Sequence, residues 1–256
     1  VDYRDLWSQN HNYPFSKLRK FFDYQLEKRL IKKADLILTV SQELKNKINN
    51  KFKIGSKVKV IYNGYSPIEK KKNLNLKDFT FLNTNKIKIL HVGSIYPQFQ
   101  QIELMLNQNF NNSEFELHFI GNVSLSLDPL VNKKNKDYIK QIGFYDRQTT
   151  VSLINEYDYL IFFDSLQHKG VLPLKVFEYI NSNKPIICVG GNIENEIQVV
   201  LRKYKKCYFL KEKIEIIDFF EKLKINNEYY NNEKLIERFS YKNISKEFNT
   251  CLNSII

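Results

Sequence analysis

The fold is decided by the stretch Gly170-Val-Leu-Pro-Leu-Lys-Val-Phe-Glu-Tyr-Ile-Asn-Ser-Asn-Lys-Pro-Ile-Ile187. Its apolar residues recur at helical spacing over 174–182 and then form a continuous run over 185–189. The first pattern predicts a helix, and Pro173 suits its first turn because the N–H that proline lacks has no partner there. The second pattern predicts a strand that is buried on both faces. The stretch is therefore interpreted as a helix–strand unit of a parallel α/β sheet.

The same alternation of short apolar runs and helical segments continues in both directions along the chain. Strands are predicted at 35–40, 58–62, 87–92, 115–120, 138–142, 159–163, 185–189 and 207–210. Helices are predicted at 17–33, 42–50, 98–109, 148–156, 174–182, 194–204, 213–224 and 242–254. This order of elements is typical of a doubly wound parallel sheet with helices on both faces.

A polar, lysine-rich segment over 66–85 interrupts the pattern. The units after it suffice for one complete Rossmann-like domain, which we assign to residues 81–235. The two or three units before it are too few for such a sheet. We therefore interpret residues 1–80 as the C-terminal part of a second Rossmann-like domain with its linker. Because the chain also begins with Val1 and not Met, we expect the complete protein to have an earlier segment.

Composition narrows the class of protein. A chain of 256 residues with 43% hydrophobic and 27% charged residues is ordinary for a globular protein. No apolar run approaches the roughly 20 residues of a membrane-spanning helix. Cys188, Cys207 and Cys251 are odd in number and show no CxxC spacing, which favours a reduced cytoplasmic protein over a disulfide framework or a zinc site. The histidines also lack ligand spacing, so we assign no metal.

The net charge of +12 is concentrated in residues 1–80, which hold 18 Lys and Arg against 8 Asp and Glu. Such a segment suits an anionic lipid surface, a phosphorylated acceptor or an ordinary solvated surface. We do not expect a nucleic-acid partner, since no aromatic–basic reading motif accompanies the charge. For the helix at 17–33 we expect packing against its own sheet in preference to a membrane interface. That expectation concerns the apolar residues Leu18, Phe21, Phe22, Leu26 and Leu30.

Two strand–helix turns carry candidate site residues. In His91-Val-Gly-Ser-Ile-Tyr-Pro97, Gly93 lets the backbone approach a phosphate, and we expect a helix to follow whose N-terminus favours negative charge. In the second turn, Lys175 and Glu178 lie three residues apart on one helix face. Lys175 would add a full charge for a diphosphate, and Glu178 would accept hydrogen bonds from ribose hydroxyls. The alternatives are a glycine kept for steric reasons and an ordinary surface Glu–Lys pair.

The second turn resembles the nucleotide-sugar signature of the retaining, GT-B-fold, group 1 (family 4-like) glycosyltransferases of bacterial envelope polysaccharide biosynthesis. That signature has two glutamates separated by seven residues and followed by a "kPii" strand. Glu178 matches the second glutamate, which in the family holds the donor ribose. The first would fall on Gly170, so that half of the motif is absent. A sub-group pattern "lPxKxfEYxxxxKPii" fits more closely, with Pro173, Lys175 and Lys184 in place.

Short, degenerate pieces in the family's order extend the resemblance over most of the chain. Ala34-Asp-Leu-Ile-Leu-Thr-Val-Ser41 resembles "ADxixtvS", and Val60-Ile-Tyr-Asn-Gly64 resembles "viPNG" before the interdomain linker. Ile142-Gly-Phe-Tyr145 resembles the turn that lies against the nucleobase. Asp2-Tyr-Arg-Asp-Leu-Trp7 resembles a "DxRDxW" turn that faces the cleft. Residues 236–256 resemble the closing helix that crosses back to the first domain.

The resemblance implies a GT-B architecture and transfer of a sugar from a nucleotide-sugar donor (UDP-, GDP- or another) to a glycan or lipid-linked acceptor. It also implies retention at the anomeric carbon, no metal or other cofactor, and a cytoplasmic location with peripheral contact to an anionic membrane as an option. The implied catalytic residues are Arg4, Asp5 and Lys175. The implied substrate-binding residues are Gly93, Ser94, Phe144, Tyr145, Val171, Leu172, Pro173, Leu174, Lys175 and Glu178.

Departures from the family pattern keep alternatives open. The family often places cations just after Gly93 and about five residues later, where this chain has Ser94 and Gln98. Lys175, with Lys169 or His168, would then have to replace them. Gly170 leaves the donor sugar without its usual carboxylate. The alternatives are a non-catalytic nucleotide-sugar-binding module and a GT-B-fold sugar-nucleotide 2-epimerase, whose cleft carboxylates and histidines we do not find in the sequence.

Overall fold

A computed structural model describes residues 1–8, 15–66, 74–98, 100–110, 114–166, 170, 172–225 and 231–254. Its front part holds two helices and a small parallel sheet. The elements are α1 (Lys17–Lys33), β1 (Ile37–Thr39), α2 (Gln42–Phe52) and β2 (Val58–Val60). Strand β1 pairs with β2, and Asp2 forms a parallel bridge to Leu38 on the other side of β1.

The remaining strands form one six-stranded parallel sheet. They are β3 (Ile87–Val92), β4 (Phe115–Ile120), β5 (Ile139–Gly143), β6 (Tyr159–Phe163), β7 (Ile186–Val189) and β8 (Cys207–Leu210). Their order is β5-β4-β3-β6-β7-β8, with β3 and β6 adjacent at the centre. This is the strand order of a doubly wound sheet. The predicted α/β class with a Rossmann-like sheet is therefore confirmed.

Helices cover the six-stranded sheet and end the chain. They are α3 (Glu103–Leu106), α4 (Ser124–Leu127), α5 (Arg147–Ile154), α6 (Leu174–Ser182), α7 (Glu196–Leu201), α8 (Lys213–Glu221), α9 (Glu233–Arg238) and α10 (Tyr241–Asn253). One face of the sheet packs with α3 and α8, and the other with α5, α6 and α7. Among the described residues, no helix combines the length and the apolarity that crossing a bilayer requires.

The orientation of α1 differs from the prediction. The apolar side chains that we expected to pack on the sheet are 50–68% exposed: Leu18, Phe21, Phe22, Leu26 and Leu30. Asp23 and Glu27 are buried in their place. Glu27 turns inward because its carboxylate accepts hydrogen bonds from the backbone N–H and the hydroxyl of Ser8, and Lys51 donates to the same hydroxyl at 2.7 Å. A buried polar group is stable only with such partners.

The end of the chain returns to the front part. Tyr65 donates its backbone N–H to the carbonyl of Phe239 (2.9 Å), and Tyr241 donates to the carbonyl of Tyr65 (3.0 Å). After this point, Phe248 and its neighbours on α10 pack against a small hydrophobic cluster around Leu38 of β1. Phe239 itself is buried between the ring of Tyr62 (centroids 6.0 Å apart) and that of Phe177 (5.0 Å).

We expect Phe239→Ala to lower the free energy of unfolding by about 3–5 kcal/mol, because it leaves a cavity between the front part and α6. Urea unfolding followed by circular dichroism measures the change. Ile214→Ala, at a side chain that is largely exposed on α8, is the control and should change the free energy by less than about 0.5 kcal/mol. A similar small change for Phe239→Ala would show that the ring does not join the two parts.

Candidate functional site

The candidate site lies where the direction of the sheet connections reverses. Strands β3 and β6 are neighbours. The connection after β3 leads to β4 toward one edge of the sheet, and the connection after β6 leads to β7 toward the other edge. In such sheets a crevice opens at the carboxyl ends of the two central strands. Gly93 follows β3 on one side of this crevice, and α6 begins on the other. The backbone N–H of Val92 donates to the hydroxyl of Tyr179 (2.8 Å), which fixes α6 against the end of β3.

Glycines let the strand ends approach one another closely at the crevice. Gly93 has a φ of +87°, and its N–H donates to the carbonyl of Ile120 at 2.8 Å. A Cβ atom added to Gly121 would lie 3.0 Å from the backbone of Gly93. At Gly93 it is the positive φ that requires glycine, since an added Cβ would meet only Nζ of Lys175 at 3.7 Å. Gly93 also leaves room for a ligand, because it adds no side chain of its own to the crevice.

The helix expected directly after Gly93 is absent. The helix α3 begins only at Glu103 and has four residues, so no helix N-terminus faces Gly93 from its own loop. Side-chain amides hold the intervening loop instead. Tyr96 donates its N–H to the side chain of Gln100 (2.8 Å), and Gly191 donates to the side chain of Gln101 (2.6 Å). These bonds tie the loop to itself and to the loop after β7, which competes with helix formation.

Lys175 crosses the crevice from α6 to β3. Its Nζ lies 3.1 Å from Nε2 of His91, and 3.7 Å from a Cβ atom built on Gly93. The other ring nitrogen, Nδ1, lies 3.2 Å from the carbonyl oxygen of Ile161. A carbonyl only accepts hydrogen bonds, so Nδ1 carries the proton and Nε2 accepts from Lys175. Lys175 therefore lies beneath Gly93 with a neutral histidine behind it.

Burial shifts the titration of both groups. Desolvation lowers the pKa of Lys175 to about 7. Desolvation and then the nearby charge of Lys175 hold the pKa of His91 well below its ordinary value. Without an anion the uncharged form of Lys175 is therefore favoured far more than in an exposed lysine. A diphosphate placed beside Nζ would favour the charged form and raise that pKa.

Glu178 points to a different neighbour. Its Oε1 accepts from Arg147 at the start of α5, with Nη2 at 2.8 Å and Nε at 3.0 Å. The surface Glu–Lys pair considered for Lys175 and Glu178 is not formed, since each has its own partner. Arg147 is 60% exposed and Glu178 15% exposed at the side chain, so solvent screens the pair. Sequence reasoning missed Arg147, because 31 residues separate it from Glu178.

The turn after β5 lies next to this pair. Phe144 is 78% exposed, which is unusual for a phenylalanine. Tyr145 instead packs into the protein, with its ring centroid 5.7 Å from that of Phe79. Asp146 caps α5 by accepting from the N–H of Thr149 at 2.9 Å, which fixes the turn. Phe144 is thus the free aromatic face of this turn and Tyr145 its anchor.

The other predicted residues fall into different environments. Leu172 is buried in the core on the α6 side, so only its backbone can face the crevice. Pro173 is the N-cap of α6, one position before the first turn where we expected it. Ser94 and Leu174 are exposed. Val171 lies outside the described residues, as do His168 and Lys169.

Arg4 is held within the front part. Its Nε contacts the carboxylate of Asp2 (2.9 Å), and its Nη1 donates to the side chain of Asn63 (2.7 Å). Asp5 is exposed and takes no part in this pair. No hydrogen bond or ion pair of the described residues joins Arg4 or Asp5 to Lys175. Arg4, Asp5 and Lys175 thus have no direct contact with one another among the described residues.

Metal binding has no candidate group in this region. Within the part of the chain that the structure describes, no three or more His, Cys, Asp or Glu side chains are placed to hold a metal ion. His91 and His118 are both buried and hydrogen-bonded, to Ile161 and Tyr157 respectively. His118 is thus a buried core residue with a hydrogen-bond partner on each ring nitrogen.

Known proteins share this architecture. Residues 3–67 match the model of Glycosyltransferase Family 4. No curated protein matches the chain in sequence. Among solved structures, the N-terminal domain of trehalose-6-phosphate phosphatase from Candida albicans is similar over 94% of this chain and 61% of its own, with a TM-score of 0.67 and 11% identity. The chain has the GT-B fold.

Two further GT-B structures agree with this result. Sucrose-phosphate synthase from Thermosynechococcus elongatus is similar over 94% of this chain and 63% of its own, with a TM-score of 0.65 and 11% identity. Anabaena HepE, in complex with UDP and glucose, is similar over 91% of this chain and 67% of its own, with a TM-score of 0.60 and 15% identity. This GT-B chain thus spans less than two thirds of the length of the first two of these proteins.

The depressed pKa of Lys175 predicts a pH-dependent stability. Between pH 7 and 10.5 the unfolded chain binds a proton that folded Lys175 lacks, so this residue makes the free energy of unfolding rise with pH across that window. Lys175→Met should therefore stabilise the protein by about 1–3 kcal/mol at pH 7, and by progressively less toward pH 10.

Urea unfolding of both proteins from pH 6 to 10 measures that difference. Lys246→Met, at an exposed lysine of α10, provides a matched control whose difference from the wild type should be small and flat. A flat difference for Lys175→Met as well would show that Lys175 is not desolvated.

Proposed function

We propose that this chain is the donor-binding part of a glycosyltransferase, with a portion of the acceptor-binding part in front of it. The reaction is transfer of a sugar from a nucleotide-sugar donor to a glycan or lipid-linked acceptor. The observation that carries the proposal is the position of Lys175, which reaches from α6 beneath Gly93 at the reversal point of the sheet. The GT-B fold and the family 4 match over residues 3–67 support it.

The diphosphate of the donor is assigned to the space between Gly93 and the first turn of α6. Gly93 allows its backbone to approach the phosphate oxygens. The first turn of α6 supplies N–H groups that have no partner inside the helix, and the helix dipole adds positive potential there. Lys175 becomes fully charged beside the phosphates. Together these groups stabilise the negative charge that develops on the leaving diphosphate, a role that needs no metal in this scheme.

The nucleoside is assigned to the neighbouring surface formed by Phe144, Arg147 and Glu178. The exposed ring of Phe144 offers a face on which a base can stack. Glu178 accepts hydrogen bonds from the ribose hydroxyls, and Arg147 orients its carboxylate through Oε1. Retention at the anomeric carbon is part of the proposal through the family resemblance alone.

A non-catalytic nucleotide-sugar-binding module is the second candidate. Gly170, at the place of the first signature glutamate, favours it. Slow release of free sugar from a bound donor separates the two functions. A transferase site hydrolyses the donor over hours, as chromatography of the donor shows, whereas a binding module returns it intact.

We also propose that the chain contacts an anionic membrane peripherally and is located at the inner face of that membrane. The apolar side chains of α1 are exposed, while its acidic residues Asp23 and Glu27 face inward. Its basic residues are Lys17, Arg19, Lys20, Lys28, Arg29, Lys32 and Lys33. A helix face that combines apolar and basic side chains suits an interface of anionic lipid, where long lysines reach the headgroups.

We expect UDP or GDP to bind the chain and Lys175→Gln to weaken that binding several-fold, while uridine or guanosine binds equally to both proteins. The charge of Lys175 acts on the diphosphate and hardly on the nucleoside. Calorimetric titration at pH 8 should also show proton uptake by the wild type, detected as a heat that depends on the buffer, because the anion raises the pKa of Lys175 from about 7.

Lys203→Gln, at an exposed lysine just after α7, is the control for net charge. The absence of heat with either diphosphate at millimolar concentration would contradict the proposed function. Equal weakening of diphosphate and nucleoside by Lys175→Gln would contradict the phosphate role of Lys175.

Glu178→Ala should weaken binding of the same diphosphate, and of its nucleoside, by about 1.5–3 kcal/mol, the range for a hydrogen bond to a charged group. Stability should change little, because Arg147 is mostly solvated. Glu221→Ala, at an exposed position of α8, should leave affinity unchanged. If a folded Glu178→Ala protein binds both ligands as tightly as the wild type, Glu178 has no part in the site.

A further inference from the structure

His91 is a polar side chain in an apolar layer, one residue before the end of β3. It is fully buried, and its ring packs against those of Phe119 on β4 and Phe163 on β6, with centroids 5.5 Å and 5.4 Å away. An imidazole loses its hydrogen bonds to water at such a place, so its burial is costly unless the ring nitrogens have partners inside the protein. The two aromatic rings also restrict rotation of the imidazole away from those partners.

The two ring nitrogens of His91 have different partners. Nδ1 lies 3.2 Å from the carbonyl oxygen of Ile161 on β6, and Nε2 lies 3.1 Å from Nζ of Lys175 on α6. Burial and then the charge of Lys175 hold the pKa of His91 well below its ordinary value, although backbone groups of Ile161 and Ser94 oppose this. The ring is therefore neutral and has one proton. Because the carbonyl of Ile161 can only accept, it selects the tautomer that turns a lone pair toward Lys175.

Lys175 needs such a partner because its ammonium group has three donor hydrogens on a flexible stem of four carbons. Among the described residues, no carboxylate forms an ion pair with it, and His91 accepts one of its hydrogens. The ring of Phe162, with its centroid 5.9 Å from Nζ, attracts a cation but does not fix the direction of its N–H bonds. The contact with His91 leaves two hydrogens for the space beside Gly93.

We infer that His91 is a positioning residue for the anion site in the crevice: its Nε2 accepts one N–H of Lys175 and thereby directs the other two toward a diphosphate. The inference rests on the proposed function. A row of hydrogen bonds then runs from the carbonyl of Ile161, through the ring of His91, to Nζ of Lys175. The three elements that meet at the reversal of the sheet fix the lysine jointly. A nucleoside, which has no phosphate, gains nothing from this arrangement.

Two amides that each imitate one ring nitrogen test the role of Nε2. His91→Asn places an amide near the position of Nδ1, so it can keep the hydrogen bond to Ile161 but offers no acceptor to Lys175. His91→Gln reaches one atom farther and keeps an acceptor oxygen near the position of Nε2. Calorimetric titration with UDP or GDP should show binding weakened at least about tenfold by His91→Asn and less than about threefold by His91→Gln. Uridine or guanosine should bind both variants as tightly as the wild type.

Two further variants separate positioning from folding. Lys175→Gln removes the group that His91 directs, so His91→Asn in that background should cause no additional loss of diphosphate affinity. His118→Asn changes a second buried histidine, on β4, whose partners are Tyr157 and Glu116. It should leave diphosphate affinity unchanged even where urea unfolding shows a loss of stability.

The tautomer of His91 can be measured without any ligand. In a nitrogen-15 correlation spectrum of the free protein at neutral pH, Nδ1 should carry the proton and Nε2 should have the shift of an unprotonated nitrogen. The loss of these signals in His91→Asn assigns them to His91.

A proton on Nε2 of His91 would overturn the inference. Wild-type diphosphate affinity in His91→Asn, equal losses in the Asn and Gln variants, or an additional loss in the Lys175→Gln background would each overturn it too, because the ring would then only fill the core. These results would leave the proposed function intact, since the wild type still binds the diphosphate. If the wild type binds neither UDP nor GDP, the proposed function itself fails, and the inference fails with it.

Discussion

The parallel pairing of β3 with β6 organises the rest of the structure. Both strands are mostly buried on both faces, so each must be covered above and below, and the chain does this with connections that run to opposite edges of the sheet. The reversal leaves the two strand ends without a crossing helix between them. The gap receives Gly93 from one strand and the start of α6 from the other. The position of the candidate site thus follows from the need to bury a parallel sheet.

Lys175 places a titratable amine in that gap. Its ammonium group lies against a neutral histidine and loses solvation, so an empty crevice favours the uncharged form. An anion placed beside Nζ would favour the charged form of the same lysine. The desolvated lysine costs the folded protein some stability, which such an anion would recover. Glu178 and Arg147 form the more solvated side of the same crevice.

Much of the fold could be predicted, because a strand that is buried on both faces appears in the sequence as a continuous apolar run. The strands β3, β4, β6 and β8 and the helices α1 and α6 begin and end where their apolar runs predict. The helix predicted over 98–109 is present only as the four residues of α3, since amide side chains such as Gln101 bind the backbone of neighbouring loops. The orientation of α1 was also wrong, because the buried acid Glu27 depends on Ser8, a partner 19 residues away.

The site was predictable only in part, for a similar reason. Lys175 and Glu178 can be named from one helix and its spacing. His91 is 84 residues from Lys175, and its strand pattern shows burial but not the lysine that it meets. Local pattern thus identifies the groups that face the crevice, and long-range contacts decide their charge and orientation.

The backbone bonds between Tyr65, Phe239 and Tyr241 have a mechanical consequence. The chain passes between its two parts at 64–65 and again at 239–241, and these passages lie side by side and are hydrogen-bonded to each other. Two bodies that are joined at adjacent points can separate only by rotation about a hinge at those points. Any separation of α2 from α7 is then a rotation about this hinge, and the displacement is smallest near Tyr65 and grows with distance from it.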